Sequence, residues 1–403
     1  MIVLISLPSW GRSFVVDSYF DGLKIYKDGP YIIETKNSKV TKIIRDKLKP
    51  RTGLFLLPGL VDAHVHLYYQ EYLPYGNHKE SLAKTFSISD SQRKILIESF
   101  LNDRIKKGFI WLRDLGGDRR GRKVLKSLIK EKGSNYPFVE MMEESLTWGP
   151  GQCSPPLNCD RISIDLKNYK IDQLDKLLKG LVQKGLSHLK VYLDSDPFDS
   201  QPMPIPWVKA IIQKAKDLKL KVAFHVGLFY PLEKIISSMD ENFSLEHIYH
   251  VSNDFPLEKA RAVLVPTDIP FSFIEFIKNR GGNYQAYYFD KIKSQKRFKK
   301  LLERNLPLCF GSDFYFETSD SVKTRSYWAI ESLVDWHELG MSNLDVLKSA
   351  TSNCSKLFNK KPFLIQEKAP ANFIIVKGNP EKDIRDLHNI LWVIKDGKVL
   401  KSP

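Results

Sequence analysis

Apolar and polar positions change rhythm twice along the chain. Between residues 58 and 364, short apolar runs of strand length alternate with longer segments whose apolar positions recur at helical spacing. The runs are "GLVDAHVH", "FIWLRD", "FVEMME", "HLKVYL", "KVAFHV", "FSLEHIYH", "AVLVPT" and "LCFGSD". The gaps hold "SDSQRKILIESFLNDRIKKG", with a Ser/Asp start and a Gly stop, then "IDQLDKLLKGLVQKG", "PIPWVKAIIQKAKDLKL" and "KSQKRFKKLLERN". Such alternation predicts α/β architecture with a parallel sheet, and eight runs each followed by a crossover predict a (β/α)8 TIM-type barrel over 58–364. A doubly wound open sheet is the alternative topology. It calls for a Gly-rich phosphate turn after an early strand, and "LGGDRRG" at 115–121 has the wrong spacing.

The two ends read differently. "SFVV", "GLKIY", "PYIIET" and "KVTKII" are separated by Gly, Asp, Asn and Lys turn signals, and "ANFIIVKGNP" and "ILWVIKDGKVLK" share that texture near the other terminus. Residues 1–57 and 365–403 are therefore expected to form one small, discontinuous β-sandwich domain beside the barrel.

Composition adds limits. The 403 residues are 42% hydrophobic and 27% charged, which suits a globular protein with a large core. The net charge of +15 comes from lysines scattered along helical faces, with no basic stripe, aromatic platform or recognisable nucleic-acid module. Nucleic acid is thus not an expected partner. Cys153, Cys159, Cys309 and Cys354 form no C-x-x-C pair and are too sparse for a disulfide scaffold, so reduced cysteines are expected. The apolar stretch in "MIVLISLPSW" is only about seven residues and lacks a preceding basic residue, which argues against a leader or a membrane span. The expected location is cytoplasmic.

In a barrel the reactive groups gather at the carboxyl ends of the strands, so polar residues closing apolar runs are the ones to collect. His64 and His66 are two apart on the first run and share a face. Lys190 lies in the fourth run, His225 closes the fifth, His247 ends the sixth and Asp313 ends the eighth. Imidazoles and carboxylates suit Zn²⁺ or a similar divalent ion, and an open site lowers the pKa of a bound water. His78, His188, His337 and His388 read instead as ordinary packing residues, and Arg113 with Asp114 as a structural charge pair.

Taken together, these residues resemble the amidohydrolase superfamily. The likeness runs from "LPGLVDAHVHL" and "KGFIWLRDLGG" through "HLKVYL", "VAFHV", "LEHI", "VPT" and "GSD" to "SATSNCSKLF" and "APANFIIVKGNPEKDI". In texture the chain is nearest the prolidase and imidazolonepropionase-like group. The resemblance implies two divalent ions, Zn²⁺ foremost. His64, His66 and Asp313 would hold one, His225 and His247 the other, and Lys190, carrying a CO₂-derived carbamate, would bridge them with a hydroxide. Asp313 would be the catalytic acid and base in hydrolysis of an amide or other C–N bond, with a dipeptide, N-acyl amino acid or cyclic amide as the small-molecule substrate. A homo-oligomer is allowed by the resemblance.

Two departures stand out. Dipeptide-cleaving relatives tend to carry a His after strand three and a Tyr shortly after the strand-five His, where this chain has Gln152 in "SLTWGPGQC" and Gly227. Tyr68, Tyr69, Trp148, Tyr230, His250, Phe314 and Tyr315 are the candidate pocket residues instead, with Tyr68, Trp148, Tyr230 and His250 the substrate-binding set. Two other functions compete: a mononuclear deaminase of a cyclic amidine, which Lys190 opposes, and a non-catalytic barrel scaffold, which the complete set of six residues opposes.

Overall fold

The computed structural model describes residues 11–69, 71–72, 84–149, 163–194, 202–227, 230–249, 256, 259–279, 291–304, 306–317, 320–359 and 363–403. The middle of the chain is α/β with parallel sheet. One three-stranded sheet runs Phe138–Met141, Phe109–Asp114, Leu60–Val65. A six-stranded sheet runs Ser163–Asp165, Glu144–Thr147, His188–Tyr192, Lys221–Val226, Phe243–His247, Val263–Val265. Every neighbouring pair in both is parallel.

The third apolar run differs from its sequence reading. It leaves its first sheet at Met141 and resumes at Glu144–Thr147 in the second, so one stretch of chain joins both sheets. The eighth run forms no ladder. It touches the last strand by a single bridge, Leu264 to Leu308, and then reaches the first strand: Ala63 N donates to Phe310 O and Asp313 N to His64 O.

The four segments read as helical from their periodicity do form helices. Asp90–Lys106 starts at Ser89, whose hydroxyl accepts from Gln92 N while the Gln92 side chain accepts from Ser89 N. Leu174–Gln183, Ile205–Asp217 and Lys291–Glu303 follow the other predicted segments. Their buried residues pack on strand residues such as Leu112, Leu189 and Phe224. Among the described residues, no helix is long and apolar enough to cross a membrane.

Described segments from the two outer parts of the chain share one sheet. Phe373–Lys377 pairs antiparallel with Leu54–Pro58 and with Ile390–Lys395. A separate sheet of Arg12–Val16, Tyr31–Lys36 and Lys39–Arg45 covers it. Phe14 from the second meets Phe373 and Trp392 from the first edge to face, with centroids 5.4 and 5.7 Å apart. That shared core holds Val16, Ile33, Leu56, Ile375 and Ile394.

One expectation is corrected. Cys309 and Cys354, 45 residues apart in sequence, are joined by a disulfide, which ties the eighth run to the turn of 3-10 helix Ser352–Leu357. Cys153 and Cys159 lie outside the described residues.

Candidate metal centre

The strand Leu60–Val65 delivers His64 to the end of the sheet and His66 just beyond it. His64 is fully buried, and its Nδ1 donates to Glu246 Oε2 at 2.8 Å. His66 Nδ1 donates to Gly116 O at 2.8 Å. With a carboxylate and a backbone carbonyl as acceptors, both rings carry their proton on Nδ1 and turn a lone pair on Nε2 toward the site. Asp313 meets them there: its Oδ1 is 3.7 Å from His64 Nε2 and 3.4 Å from His66 Nε2. Ligand atoms of His64, His66 and Asp313 all lie within 4.8 Å of one another, a group that could hold a metal ion.

His225 and His247 complete the cluster. Their ring centroids are 4.3 Å apart, and the His247 ring lies 4.8 Å from that of His64. His247 Nδ1 hydrogen-bonds with Thr267 Oγ1 at 2.7 Å and stands 3.8 Å from Asp313 Oδ2. His64 Nε2 and His247 Nε2 are buried without a hydrogen-bond partner among the described residues. Buried polar atoms rarely stay unsatisfied, and lone pairs converging on one space fit a divalent cation.

Two backbone irregularities make this convergence feasible. Adjacent residues of a strand point to opposite faces, yet Glu246 and His247 both face His64. The turn is made at His247, with φ +69°, and at Ile248, with φ +45°. Left-handed backbone is costly for such residues, on the order of 1–3 kcal/mol each. Arg297 holds the bend by donating from Nη1 to the carbonyls of His247, at 2.8 Å, and Ile248, at 3.2 Å. Asp313 repeats the device with φ +46°. Ser312 thereby faces Asp62 while Asp313 faces the histidines.

Burial sets the electrostatics. It holds His64, His225 and His247 well below the ordinary imidazole value and brings His66 down to about 3, and the charge of Lys190 adds to the effect. The rings are thus neutral, the form that binds metal. Lys190 is itself buried within the strand His188–Tyr192, with Nζ 5.1 Å from the Tyr192 ring centroid. Tyr192 in turn lies 4.9 Å from the His225 ring.

The aromatic candidates separate. Tyr69 and Tyr315 stand together, centroids 4.7 Å apart, and Tyr315 lies 6.2 Å from His66. Tyr68 does not join them. Its ring is fully buried against Gly117 and Gly121, where an added Cβ would come within 2.3 and 2.4 Å of it, so it serves packing. Trp148 rests on Trp207, with centroids 5.5 Å apart, Tyr230 donates to Met203 O at 2.6 Å, and Phe314 is enclosed by Phe273, Phe316 and Trp328. His250, Gln152 and His78 lie outside the described residues. His337 and His388 keep ordinary partners, Met341 O and Glu331.

Arg113 and Asp114 do not pair with each other as expected. Arg113 turns inward to Glu246, at 2.6 Å, and Asp114 accepts from Leu67 N at 3.0 Å. Sequence reasoning also passed over Glu246, Thr267, Asp62, Ser312, Arg104 and Asp194, whose Oδ1 is 3.9 Å from His225 Nε2. Arg104 left a signal, since it falls on the apolar face of its helix with Ile97, Phe100 and Leu101.

Comparison with known proteins adds a family and a fold. A model of the amidohydrolase family matches residues 55–400. Among solved structures, a Xaa-Pro dipeptidase with bound methionine in its active site superposes with a TM-score of 0.75 at 19% identity, over 97% of this chain and 99% of that one. Ochratoxinase of A. niger gives 0.73 at 17%, over 98% and 96%. Molinate hydrolase gives 0.74 at 14%, over 96% and 94%. No curated protein matches the chain.

Proposed function

The chain belongs to the amidohydrolase family and is a hydrolase; from that premise we propose that it cleaves an amide or related C–N bond of a small molecule with the help of two divalent metal ions. The observation that carries this reading is the meeting of His64, His66 and Asp313 within 4.8 Å. These three residues would hold the first ion. His225 and His247 would hold the second, and Lys190, as a carbamate, would serve both as an oxygen ligand. A buried ammonium beside two dications would be strongly repelled, whereas a carbamate is an anion and an oxygen ligand. Nitrogen and oxygen donors in this ratio suit Zn²⁺. Such ions supply Lewis acidity toward a carbonyl oxygen and lower the pKa of water to about 7.

The remaining work falls to side chains. Asp313, facing three imidazoles, accepts the proton of the attacking water and returns it to the leaving nitrogen. Neutral histidines keep their lone pairs directed into the site because burial disfavours their protonation. Tyr69 and Tyr315 form an aromatic wall beside His66 that favours an apolar or planar substrate. Gly227 leaves room over His225, since a Cβ there would stand 3.0 Å from Nε2.

The architecture follows the same reading. We read 58–364 as a (β/α)8 barrel, a reading supported by the links from Leu308 to Leu264 and from Phe310 and Asp313 to the first strand. Residues 1–57 and 365–403 make a β-sandwich domain, supported by their common core. The named neighbours act on diverse compounds, among them dipeptides and molinate, so the substrate class is best found by a screen of N-acyl amino acids, dipeptides, lactams and lactones. Zinc-loaded enzyme is expected to hydrolyse at least one class, with the Asp313→Asn protein about 10²- to 10⁴-fold slower on it. Equal turnover by wild type and Asp313→Asn would contradict the proposal.

A further inference from the structure

The histidines of the centre are anchored by unequal partners, and the inequality has a consequence for metal loading. His64 Nδ1 is held by a carboxylate, Glu246 Oε2 at 2.8 Å, and both groups are completely buried. His66 is held by a neutral carbonyl and His247 by a neutral hydroxyl. His225 Nδ1 has no hydrogen-bond partner among the described residues. A carboxylate acceptor makes an imidazole a stronger donor toward a metal than a carbonyl or hydroxyl does, and such outer partners typically change metal affinity 10- to 100-fold, a figure of about one to two decades.

Glu246 is itself fixed. Arg113 Nη2 donates to its Oε1 at 2.6 Å, and Ser244 Oγ donates to the same atom. Arg113 is tied down in turn: Nη1 donates to Ser244 Oγ at 2.9 Å, and Nε donates to Ala63 O, the residue before His64, at 2.7 Å. One carboxylate oxygen is therefore engaged by Arg113 and Ser244 and the other is left for His64. Ala63, His64, Arg113, Ser244 and Glu246 form a closed loop of contacts across three strands. A rotation of the His64 ring would break a charge-assisted bond between two completely buried groups.

Resting on the two-ion reading above, we infer that Glu246, held by Arg113 and Ser244, is a positioning residue that fixes His64 and makes the His64–His66 half of the centre the tighter one. The centre then fills in order, with the His225–His247 half last and first to empty.

The test is a Zn²⁺ titration of metal-free protein against a chromophoric chelator, counting ions per chain at each free-zinc level. Wild type is expected to fill in two resolved steps. Glu246→Gln is expected to weaken the tighter step about 10- to 100-fold and leave the weaker step within about threefold. Ser244→Ala keeps both buried charges, so it covers the case in which Glu246→Gln does not fold, and it is expected to weaken the tighter step a few-fold. A merely structural role would lower the melting temperature of the metal-free protein while leaving the two steps unmoved or moving them equally, and either result overturns the inference. A wild type that saturates at one ion overturns the two-ion reading and the ranking with it. The positioning role is still decided in that case, because Glu246→Gln must weaken that ion too.

Discussion

Ser312 donates to both oxygens of Asp62, from its backbone N at 2.8 Å and from its hydroxyl at 2.6 Å, so the residue before Asp313 is gripped by the residue two before His64. Arg104, from the helix Asp90–Lys106, closes the group at 3.0 Å from Asp62. All three side chains are buried. Removing one partner of a buried ion pair strands the other, at about 3–5 kcal/mol. Asp62→Ala is therefore expected to lose that much in urea unfolding of the metal-free protein, and Ser312→Ala about 1–3 kcal/mol. An Asp62→Ala protein as stable as wild type would show that the clamp does not hold the centre.

Asp313→Asn preserves shape and removes the proposed proton acceptor. With zinc content measured in parallel, kcat is expected to fall about 10²- to 10⁴-fold. A change confined to KM would assign Asp313 to binding.

Acid should unfold the metal-free protein early. Burial lowers the native values of His64, His66, His188, His225 and His247, with His66 and His188 each brought to about 3. Above the unfolded value of about 6.5 both states are neutral and the folded state keeps its full stability. As the pH falls below it, the unfolded chain takes up protons that the native state refuses. Stability is then lost progressively toward pH 3, at a limiting rate of about 1.4 kcal/mol per pH unit for each such group. Urea melts of chelated protein between about pH 7.5 and about pH 5 check this, and a flat profile would contradict it.

Most of the strand and helix pattern was legible because the parallel strands are short, mainly apolar runs, as in Phe109–Asp114 and His188–Tyr192. The polar residues ending those runs stood out for the same reason, and His64, His66, His225, His247 and Asp313 do converge. What the pattern could not carry was geometry between runs. Glu246 looks like a solvent-facing neighbour of His247 until the left-handed turn at His247 puts both on one side. The Cys309–Cys354 bond spans 45 residues and leaves no local spacing cue. Tyr68 and Tyr69 are adjacent in sequence, and only packing separates the ring against Gly117 and Gly121 from the one beside Tyr315.

That packing is itself testable. Gly121→Ala places a Cβ 2.4 Å from the Tyr68 ring, an overlap the buried side chain cannot escape. The expected cost is about 1–3 kcal/mol in urea unfolding, with ions per chain unchanged. A neutral substitution would show that the Tyr68 ring has room to move.

The most direct test of the two-ion hydrolase is a count of metal ions per chain in protein purified without chelator, made on wild type and on Lys190→Ala. Two ions in the wild type are expected, falling to one or fewer in the variant with loss of hydrolysis. A single ion in both proteins, with activity unaffected by Lys190→Ala, would contradict it.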